Sequence, residues 1–255
     1  MPRSRGALAP FTDFHCHVVP GVDDGVKTLD EARAAIAVLA RLGFARLAVT
    51  PHIYPSVYPN DPESLCAKLE ALREALAAAP DPVTQSVELR AGAEHFFGPE
   101  LEALVAAGRA LTWGAEGVRR RYLLMEVAHH QPFPLNLEAT LFRWRVAGIF
   151  AILAHPERYA EVLRDRSRAR RLVDEGVLLQ VDLPSLGGKF GRDVQKLGRA
   201  LVEDGLVALA ASDLHAPADE APVADGIAWL RKKGAAERLL AENPDRIWQG
   251  LHVEP

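Results

Sequence analysis

Short apolar runs alternate with longer amphipathic runs along most of the chain. The apolar runs cover residues 11–14, 45–50, 87–93, 122–127, 149–154, 177–182 and 206–211. Each is the length of a strand, and several are bounded by Gly or Pro, as is typical of buried parallel strands. The amphipathic runs predict helices over residues 28–43, from 61 onward, and over 99–107, 136–147, 167–175, 192–204, 225–233 and 235–242. Thr28 and Glu31 match a capping box at the first helix, and the last is expected to end at Asn243-Pro244.

Seven strand-like runs that alternate with helices predict an α/β fold with a parallel sheet and helical crossovers. Seven such units in 255 residues fit a closed or nearly closed barrel, and an open doubly wound sheet is the alternative. No linker rich in Pro, Gly or Ser divides the chain. We therefore expect a single domain over residues 1–255.

Ionisable side chains follow nearly every predicted strand. They are His15, His17, Asp23, Asp24, His52, Glu94, Glu126, His155, Asp213 and His215. Parallel barrels collect their functional groups at the carboxyl ends of the strands, where the loops converge. Residues that are far apart in the sequence are therefore expected to meet in one cleft.

Two of these pairs have a spacing that suits metal binding. Side chains two residues apart on an extended strand point to the same side, as would His15 with His17 and Asp213 with His215. The five histidines and four of the carboxylates, Asp23 excepted, exceed the needs of one tetrahedral zinc and suit two or three ions with mixed nitrogen and oxygen ligands. A lone His-x-His is often only a polar loop, so the prediction of a metal site depends on the joint pattern. Mn²⁺, Fe²⁺ and Zn²⁺ all fit these ligand types.

Composition narrows the class of protein further. Lys and Arg number 30 and Asp and Glu number 34, and the formal charge of −4 disfavours broad nucleic-acid binding. Cys16 and Cys66 make no disulfide framework, which indicates a reducing, cytoplasmic location. Residues 1–10 are basic without an apolar run, so we expect no secretory signal. No apolar run reaches the roughly 18 residues of a membrane span.

Five segments together resemble the polymerase-and-histidinol-phosphatase (PHP) superfamily, and more closely the metal-dependent protein-tyrosine phosphatases of bacterial capsule and exopolysaccharide loci. They are Asp13-Phe14-His15-Cys16-His17 through Val22-Asp23-Asp24-Gly25, Thr50-Pro51-His52, Gly92-Ala93-Glu94, His155-Pro156-Glu157-Arg158 and Ser212-Asp213-Leu214-His215. The resemblance extends over residues 11–250. It implies a distorted seven-stranded (β/α) barrel with three metal ions, usually manganese, and Fe or Zn as alternatives.

The resemblance also implies roles for individual residues. One ion would be held by His15, His17, Glu94 and Asp213, a second by Glu94, Glu126 and His155, and a third by Asp24, His52 and His215. Arg158 would bind the phosphate. Asp23 is either a general acid for the leaving group or a partner that orients a ligand histidine. A phosphotyrosine protein, the tail of a bacterial tyrosine autokinase, is the expected partner. The sequence does not reveal the oligomeric state.

One departure from the family pattern concerns the substrate. The capsule phosphatases commonly carry a basic residue shortly after the last metal motif, whereas residues 216–222 are acidic here. Lys189 or Arg192 is a candidate for the missing charge. The alternatives are a phosphatase of a small ester such as histidinol phosphate and a non-catalytic regulator that kept the fold.

Other side chains have a weaker assignment. Four aromatic side chains after the strand ends have two equally good interpretations, an aromatic rim for a phenyl ring or packing within loops. They are Tyr54, Tyr58, Phe96 and Phe97. The adjacent His129 and His130 are interpreted as a solvated loop.

Overall fold

The protein is a distorted barrel of parallel strands surrounded by helices, seen in a computed structural model that describes residues 10–78 and 81–254. The strands are β1 (Phe11–Asp13), β2 (Phe44–Val49), β3 (His52–Ile53), β4 (Glu88–Ala91), β5 (Glu94–Phe96), β6 (Arg121–Glu126), β7 (Ile149–Ala154), β8 (Leu178–Asp182) and β9 (Val207–Ala211). One sheet has the order β1-β2-β4 and the other β3-β5-β6-β7-β8-β9, and every ladder is parallel.

Helices connect the strands and cover the outside of the barrel. They are α1 (Leu29–Arg41), α2 (Pro62–Ala78), α3 (Pro82–Gln85), α4 (Pro99–Ala106), α5 (Leu137–Val146), α6 (Ala160–Arg164), α7 (Ser167–Asp174), α8 (Leu183–Gly187), α9 (Arg192–Glu203), α10 (Glu220–Lys233) and α11 (Asn243–Gln249). The side chain of Thr28 caps α1 by accepting from Glu31 N, as predicted. None of the helices in the described ranges combines the length and apolarity that crossing a bilayer requires. The basic N-terminal segment of residues 1–9 lies outside the described residues.

Two of the seven predicted strands are each followed, after a break of two residues, by a further short strand that the sequence pattern does not predict. Pro51 separates β2 from β3, because proline has no N–H to continue the ladder. Gly92 lies between β4 and β5, and a Cβ there would lie 2.1 Å from the Trp113 ring. The seven predicted strands therefore correspond to β1, β2, β4, β6, β7, β8 and β9, and β3 and β5 are additions that preserve the parallel order. Each break brings its next polar residue, His52 or Glu94, directly onto a new strand.

The carboxyl end of the barrel is closed by contacts between the residues that follow β1 and those that follow β9. Cys16 and Leu214 form a parallel bridge, and Asp213 N donates to the carbonyl oxygen of His15 at 2.8 Å. Beneath them, the buried Asp13 carboxylate accepts from Ser212 N at 3.0 Å and from His15 N at 3.2 Å. These contacts fix the backbone of two predicted ligand segments against each other.

The C-terminal helix departs from the prediction that helical structure ends at Asn243-Pro244. A π-helical turn over Arg238–Glu242 continues directly into α11. Pro244 is the second residue of α11 and follows directly after the π-helical turn. Trp248 of this helix packs its ring edge-on against Phe14 inside the barrel, at 5.8 Å between centroids. The extra helix therefore fills the amino-terminal end of the barrel.

Candidate metal centre

A cavity of about 370 Å³ opens at the carboxyl ends of the strands and is lined by seven of the nine predicted ligands, while His15 and His17 are fully buried. Within the described residues, five groups of three or four histidine and carboxylate side chains could each hold a metal ion. The groups are His17 with Asp24, His52 and His215; His15 with His17 and Asp213; His15 with Glu94 and His155; Glu126 with His129 and His155; and His52 with Glu94 and Glu126. The donor atoms within each group lie within 4.8 Å of one another. The fold thus brings together all nine predicted ligands.

The first ligand group contains His15, His17, Glu94 and Asp213, all of them buried. The Nε2 atoms of His15 and His17 lie 3.1 Å apart, and each lies 3.0–3.6 Å from Glu94 Oε2 and from Asp213 Oδ1. Four donors around one ion at about 2.1 Å in a tetrahedron lie roughly 3.4 Å from one another. The spacing of these four atoms therefore matches one coordination sphere.

Hydrogen bonds behind the two histidines define which ring nitrogen faces the centre. His15 Nδ1 lies 2.8 Å from Gln180 Oε1, and His17 Nδ1 lies 2.8 Å from Asp23 Oδ2. Both partners are acceptors, so in the neutral tautomers the protons reside on Nδ1. Two imidazole lone pairs and two carboxylate oxygens then point at one another, an arrangement that a cation stabilises. The donor set therefore fits a divalent ion.

Glu94 extends the first group into a second. Its Oε1 lies 2.8 Å from His155 Nε2, while its Oε2 faces the first group. His52 Nδ1 lies 3.2 Å from Glu94 Oε2 and 3.1 Å from Glu126 Oε1. A carboxylate that presents one oxygen to each of two groups is suited to bridging two ions.

His129 belongs to this second group, which contradicts its interpretation as a residue of a solvated loop. Its buried Nε2 has no hydrogen-bond partner and lies 3.8 Å from Glu126 Oε2. Its ring also packs edge-on against His155, at 4.9 Å between centroids. The adjacent His130 is exposed, as expected, at the rim of the cavity. The available signal was the position of His129 three residues after Glu126, just beyond the carboxyl end of β6.

The third group lies nearest to solvent. Asp24 Oδ1 lies 3.5 Å from His52 Nε2 and 3.5 Å from His215 Nε2. His215 Nδ1 contacts the carbonyl oxygen of Asp213 at 2.9 Å, so in the neutral tautomer the proton resides there and the Nε2 lone pair faces Asp24. Half of the Asp24 side chain is exposed, which leaves this group open to the cavity.

The carboxylates shift the proton affinities of the neighbouring histidines. Burial disfavours the imidazolium of His15, but Glu94 and Asp213 outweigh burial and raise its pKa to about 10. The same balance raises the pKa of His52 to about 12, chiefly through Glu94, and that of His215 to about 9, chiefly through Asp213. Without metal, these imidazoles therefore retain protons that balance the negative charge of the site.

Two of the predicted ligands have unusual backbone geometry. His155 and Asp213 have φ angles of 37° and 45°, and within the described ranges they are the residues other than glycine with positive φ. Side chains rarely adopt this left-handed region, and strained residues of this kind cluster at functional sites. His155 directly follows β7 and Asp213 lies two residues after the end of β9, where the strained turn directs each side chain into the centre.

Arg158 lies at the edge of the first group. Its Nη1 donates to Asp213 Oδ2 at 2.8 Å and to Asp182 Oδ2 at 3.2 Å, and its guanidinium carbon lies 4.5 Å from the centroid of the Phe190 ring. Among the described residues, no acceptor bonds to its Nε or Nη2. Arg158 lines the cavity with 23% of its side chain exposed, so these donors are available to an anion.

Asp23 does not line the cavity, although it was considered as a general acid. Its Oδ2 accepts from His17 Nδ1 and from His52 N, and its Oδ1 accepts from Gly25 N at 3.0 Å. Burial alone would raise its pKa, but His17 and the backbone donors hold the pKa at about 2. The geometry therefore favours the orienting role.

The acidic segment after His215 is neutralised within the fold. Asp219 pairs with Lys189 and accepts from His215 N at 3.2 Å, and Glu220 pairs with Arg41 at 2.9 Å. The charge of Lys189 is therefore neutralised by Asp219, and Lys189 does not line the cavity. The other candidate for the missing charge, Arg192, is exposed and is not part of the lining either.

The fold and the site define a class of protein: a parallel α/β barrel with clusters of histidine and carboxylate side chains that could hold metal ions at the carboxyl ends of its strands. The profile of the family described as "Capsular polysaccharide synthesis, CpsB/CapC" matches residues 11–249. The chain belongs to this family.

Characterised relatives extend the comparison. The chain is 30% identical over 210 residues to the tyrosine-protein phosphatase YwqE of Bacillus subtilis, covering 80% of this chain and 76% of YwqE. It is 28% identical over 246 residues to the tyrosine-protein phosphatase CpsB of Streptococcus pneumoniae, covering 92% and 97%. A structure from crystallographic work on these two metal-dependent tyrosine phosphatases superimposes with a TM-score of 0.83 at 25% identity, covering 96% of this chain and 97% of the other.

Proposed function

We propose that this protein is a metal-dependent phosphomonoesterase that removes phosphate from phosphotyrosine in proteins. The observation that carries the proposal is the convergence of four lone-pair donors, from His15, His17, Glu94 and Asp213, beside the free guanidinium donors of Arg158. The names of the relatives YwqE and CpsB support the same activity. Nothing in a purely regulatory module requires such a donor set.

We further propose that the nine ligands hold three ions, with manganese as the resident metal and Fe or Zn as alternatives. When bound, the ions supply Lewis-acid stabilisation of the phosphoryl oxygens and acidify a coordinated water. His129 is added to the second group as a further ligand or as a hydrogen-bond donor to the substrate.

Arg158 and the buried partners of the ligands have distinct tasks in this proposal. Arg158 binds the phosphoryl oxygens through Nε and Nη2, since its planar fork matches two oxygens and stays charged. Asp182 and Asp213 accept hydrogen bonds from its Nη1, so the guanidinium is oriented before the substrate arrives. Gln180 and Asp23 keep the Nδ1 protons on His15 and His17, which directs both Nε2 lone pairs to the metal side.

The proposed substrate is the tyrosine-phosphorylated tail of a cytoplasmic kinase of capsule or exopolysaccharide synthesis. The family description supports the capsule context. Because Asp219 and Glu220 are paired with Lys189 and Arg41, the acidic segment presents no uncompensated charge that would repel a phosphopeptide. The reason for favouring a small ester such as histidinol phosphate is thereby weakened.

The test is a phosphatase assay on a phosphotyrosine peptide and on histidinol phosphate, after chelation and again with Mn²⁺, Fe²⁺ or Zn²⁺ restored. We expect metal-restored turnover of the peptide and its loss in His52→Ala. His252→Ala removes an exposed histidine that does not line the cavity and is the matched control. Preference for histidinol phosphate would reject the protein substrate, and metal binding without turnover of either ester would reject the enzyme.

A further inference from the structure

We propose that Tyr54 and Phe96 form an aryl-binding wall, which selects phosphate esters of phenols over those of aliphatic alcohols. This inference rests on the proposed phosphatase function and identifies the feature that sets its substrate class. The wall is one side of the cavity whose floor holds the metal ligands.

The pairing of two short strands builds the wall directly above two ligands. In the β3–β5 ladder, His52 is opposite Glu94 and Ile53 is opposite His95, so Tyr54 and Phe96 follow as the next pair. Side chains two residues apart on a strand share a side, which places both rings on the side of the ligands. The rings stack with 3.8 Å between centroids and 7° between planes. Two residues of strand cover roughly 6.6 Å, so the rings begin within reach of a group attached to a bound phosphate.

The wall is held in place before any substrate binds. Tyr54 N donates to Tyr58 O at 3.1 Å and Tyr58 N donates to Tyr54 O at 2.7 Å, which closes a tight turn. Asn60 Nδ2 donates to the carbonyl oxygens of Val22 and His52, at 3.0 and 2.9 Å. Tyr58 also stacks on the His52 ring, with 15° between planes. A rigid wall loses little conformational entropy on binding, which favours affinity.

This side of the cavity is apolar, in contrast to its floor. Val57 lies at the tip of the turn with 53% of its surface exposed, an unusual position for a large apolar side chain, and it lines the cavity beside the rings. Val127 continues the apolar lining. Among the described lining residues, Arg158 alone carries a fixed positive charge, and it belongs to the phosphate end. The wall therefore suits a ring and offers no charged partner for an amine or a sugar.

The short distance between floor and wall favours one class of ester. In a phenol ester a single oxygen joins the ring to phosphorus, so the ring comes to lie where the wall begins. An alkyl ester such as phosphoserine places peptide backbone there, and histidinol phosphate carries its ring several bonds farther out. A cavity of about 370 Å³ is near the lower end of ligand-binding pockets, which span about 300–1,000 Å³, and suits one ring with its phosphate.

The test compares two inhibitors that cannot be hydrolysed, phenylphosphonate and methylphosphonate, on the Mn²⁺-loaded protein. Their dissociation constants, measured by calorimetric titration, report binding of the ring without the complication of unequal leaving groups and without the need for turnover. We expect Phe96→Leu and Tyr54→Leu each to weaken phenylphosphonate about 3- to 10-fold, in line with the contribution of an aromatic pair. Methylphosphonate should change less than about twofold, and Tyr54→Phe, which keeps the ring, should retain the preference for phenylphosphonate.

The control is Phe142→Leu, which removes an exposed ring on α5 that does not line the cavity. Equal weakening of both phosphonates would overturn the inference, because the rings would then only support the ligands His52 and Glu94. Equal affinity of the wild-type protein for both inhibitors would overturn it as well. Absence of turnover with every phosphate ester would instead reject the proposed function. The phosphonate affinities would still show whether the wall binds an aromatic ring.

Discussion

Replacing Asp23 with asparagine removes one negative charge behind the first ligand group and leaves the shape of the side chain nearly unchanged. Three donors point at its two oxygens: His17 Nδ1 at 2.8 Å, His52 N at 3.0 Å and Gly25 N at 3.0 Å. An asparagine in either orientation sets its NH₂ group against at least one of these donors. We therefore expect the His17 ring to lose part of the restraint that directs its Nε2 to the metal.

The magnitude follows from the lost contacts. A hydrogen bond to a charged group contributes about 1.5–3 kcal/mol. Loss of a partner that orients a metal-binding histidine typically lowers metal affinity or activity about 10- to 100-fold. That range corresponds to about 1.4–2.7 kcal/mol. The dissociation constant for Mn²⁺ should therefore rise about 10- to 100-fold in Asp23→Asn.

The assay is calorimetric titration of the metal-free protein with Mn²⁺, followed by phosphatase activity at increasing Mn²⁺. Because Asp23 does not line the cavity, kcat should recover at saturating metal. Asp30→Asn removes an exposed carboxylate from the first turn of α1 and should leave both measurements unchanged. Unchanged Mn²⁺ affinity, together with a kcat that stays low at saturating metal, would refute this reasoning and assign Asp23 the role of general acid.

Three further outcomes are expected. Arg158→Ala should lower kcat/KM for a phosphotyrosine peptide about 100-fold with the bound metal retained, and an unchanged rate would remove Arg158 from the phosphate site. Gly92→Ala should lower the free energy of unfolding in urea by about 1–3 kcal/mol, because its Cβ would lie 2.1 Å from the Trp113 ring. The control Gly98→Ala meets no atom closer than 3.4 Å, and equal loss in both would contradict the overpacking. Metal uptake should release protons, and metal affinity should rise with pH, because the pKa values of His15, His52 and His215 are raised to between about 9 and about 12 without metal. Calorimetry in buffers of different ionisation enthalpy measures this release, and heats that do not depend on the buffer would contradict it.

Local patterns predicted the elements but not their interruptions. The capping residue Thr28 and the apolar runs indicate where helices and strands begin, because these signals depend on neighbouring residues alone. The break at Gly92 depends on the Trp113 ring, which lies 21 residues away in the sequence. Continuation of helix through Pro244 likewise depends on the space that α11 fills beneath the barrel. Such contacts leave no mark in a short window of sequence.

The candidate site likewise has features that the sequence predicted and features that only the tertiary structure shows. Residue types and their positions after the strands pointed to nine potential ligands, since metal ligation needs particular atoms and a parallel barrel gathers its strand ends, and the family resemblance added Arg158. Tertiary structure alone distinguished His129 from His130 and showed that the two oxygens of Asp23 are occupied. It also paired Lys189 with Asp219 and set the Tyr54 ring against Phe96. The sequence thus determines which functional groups the site contains. The direction and the partner of each group depend on contacts between segments that only folding brings together.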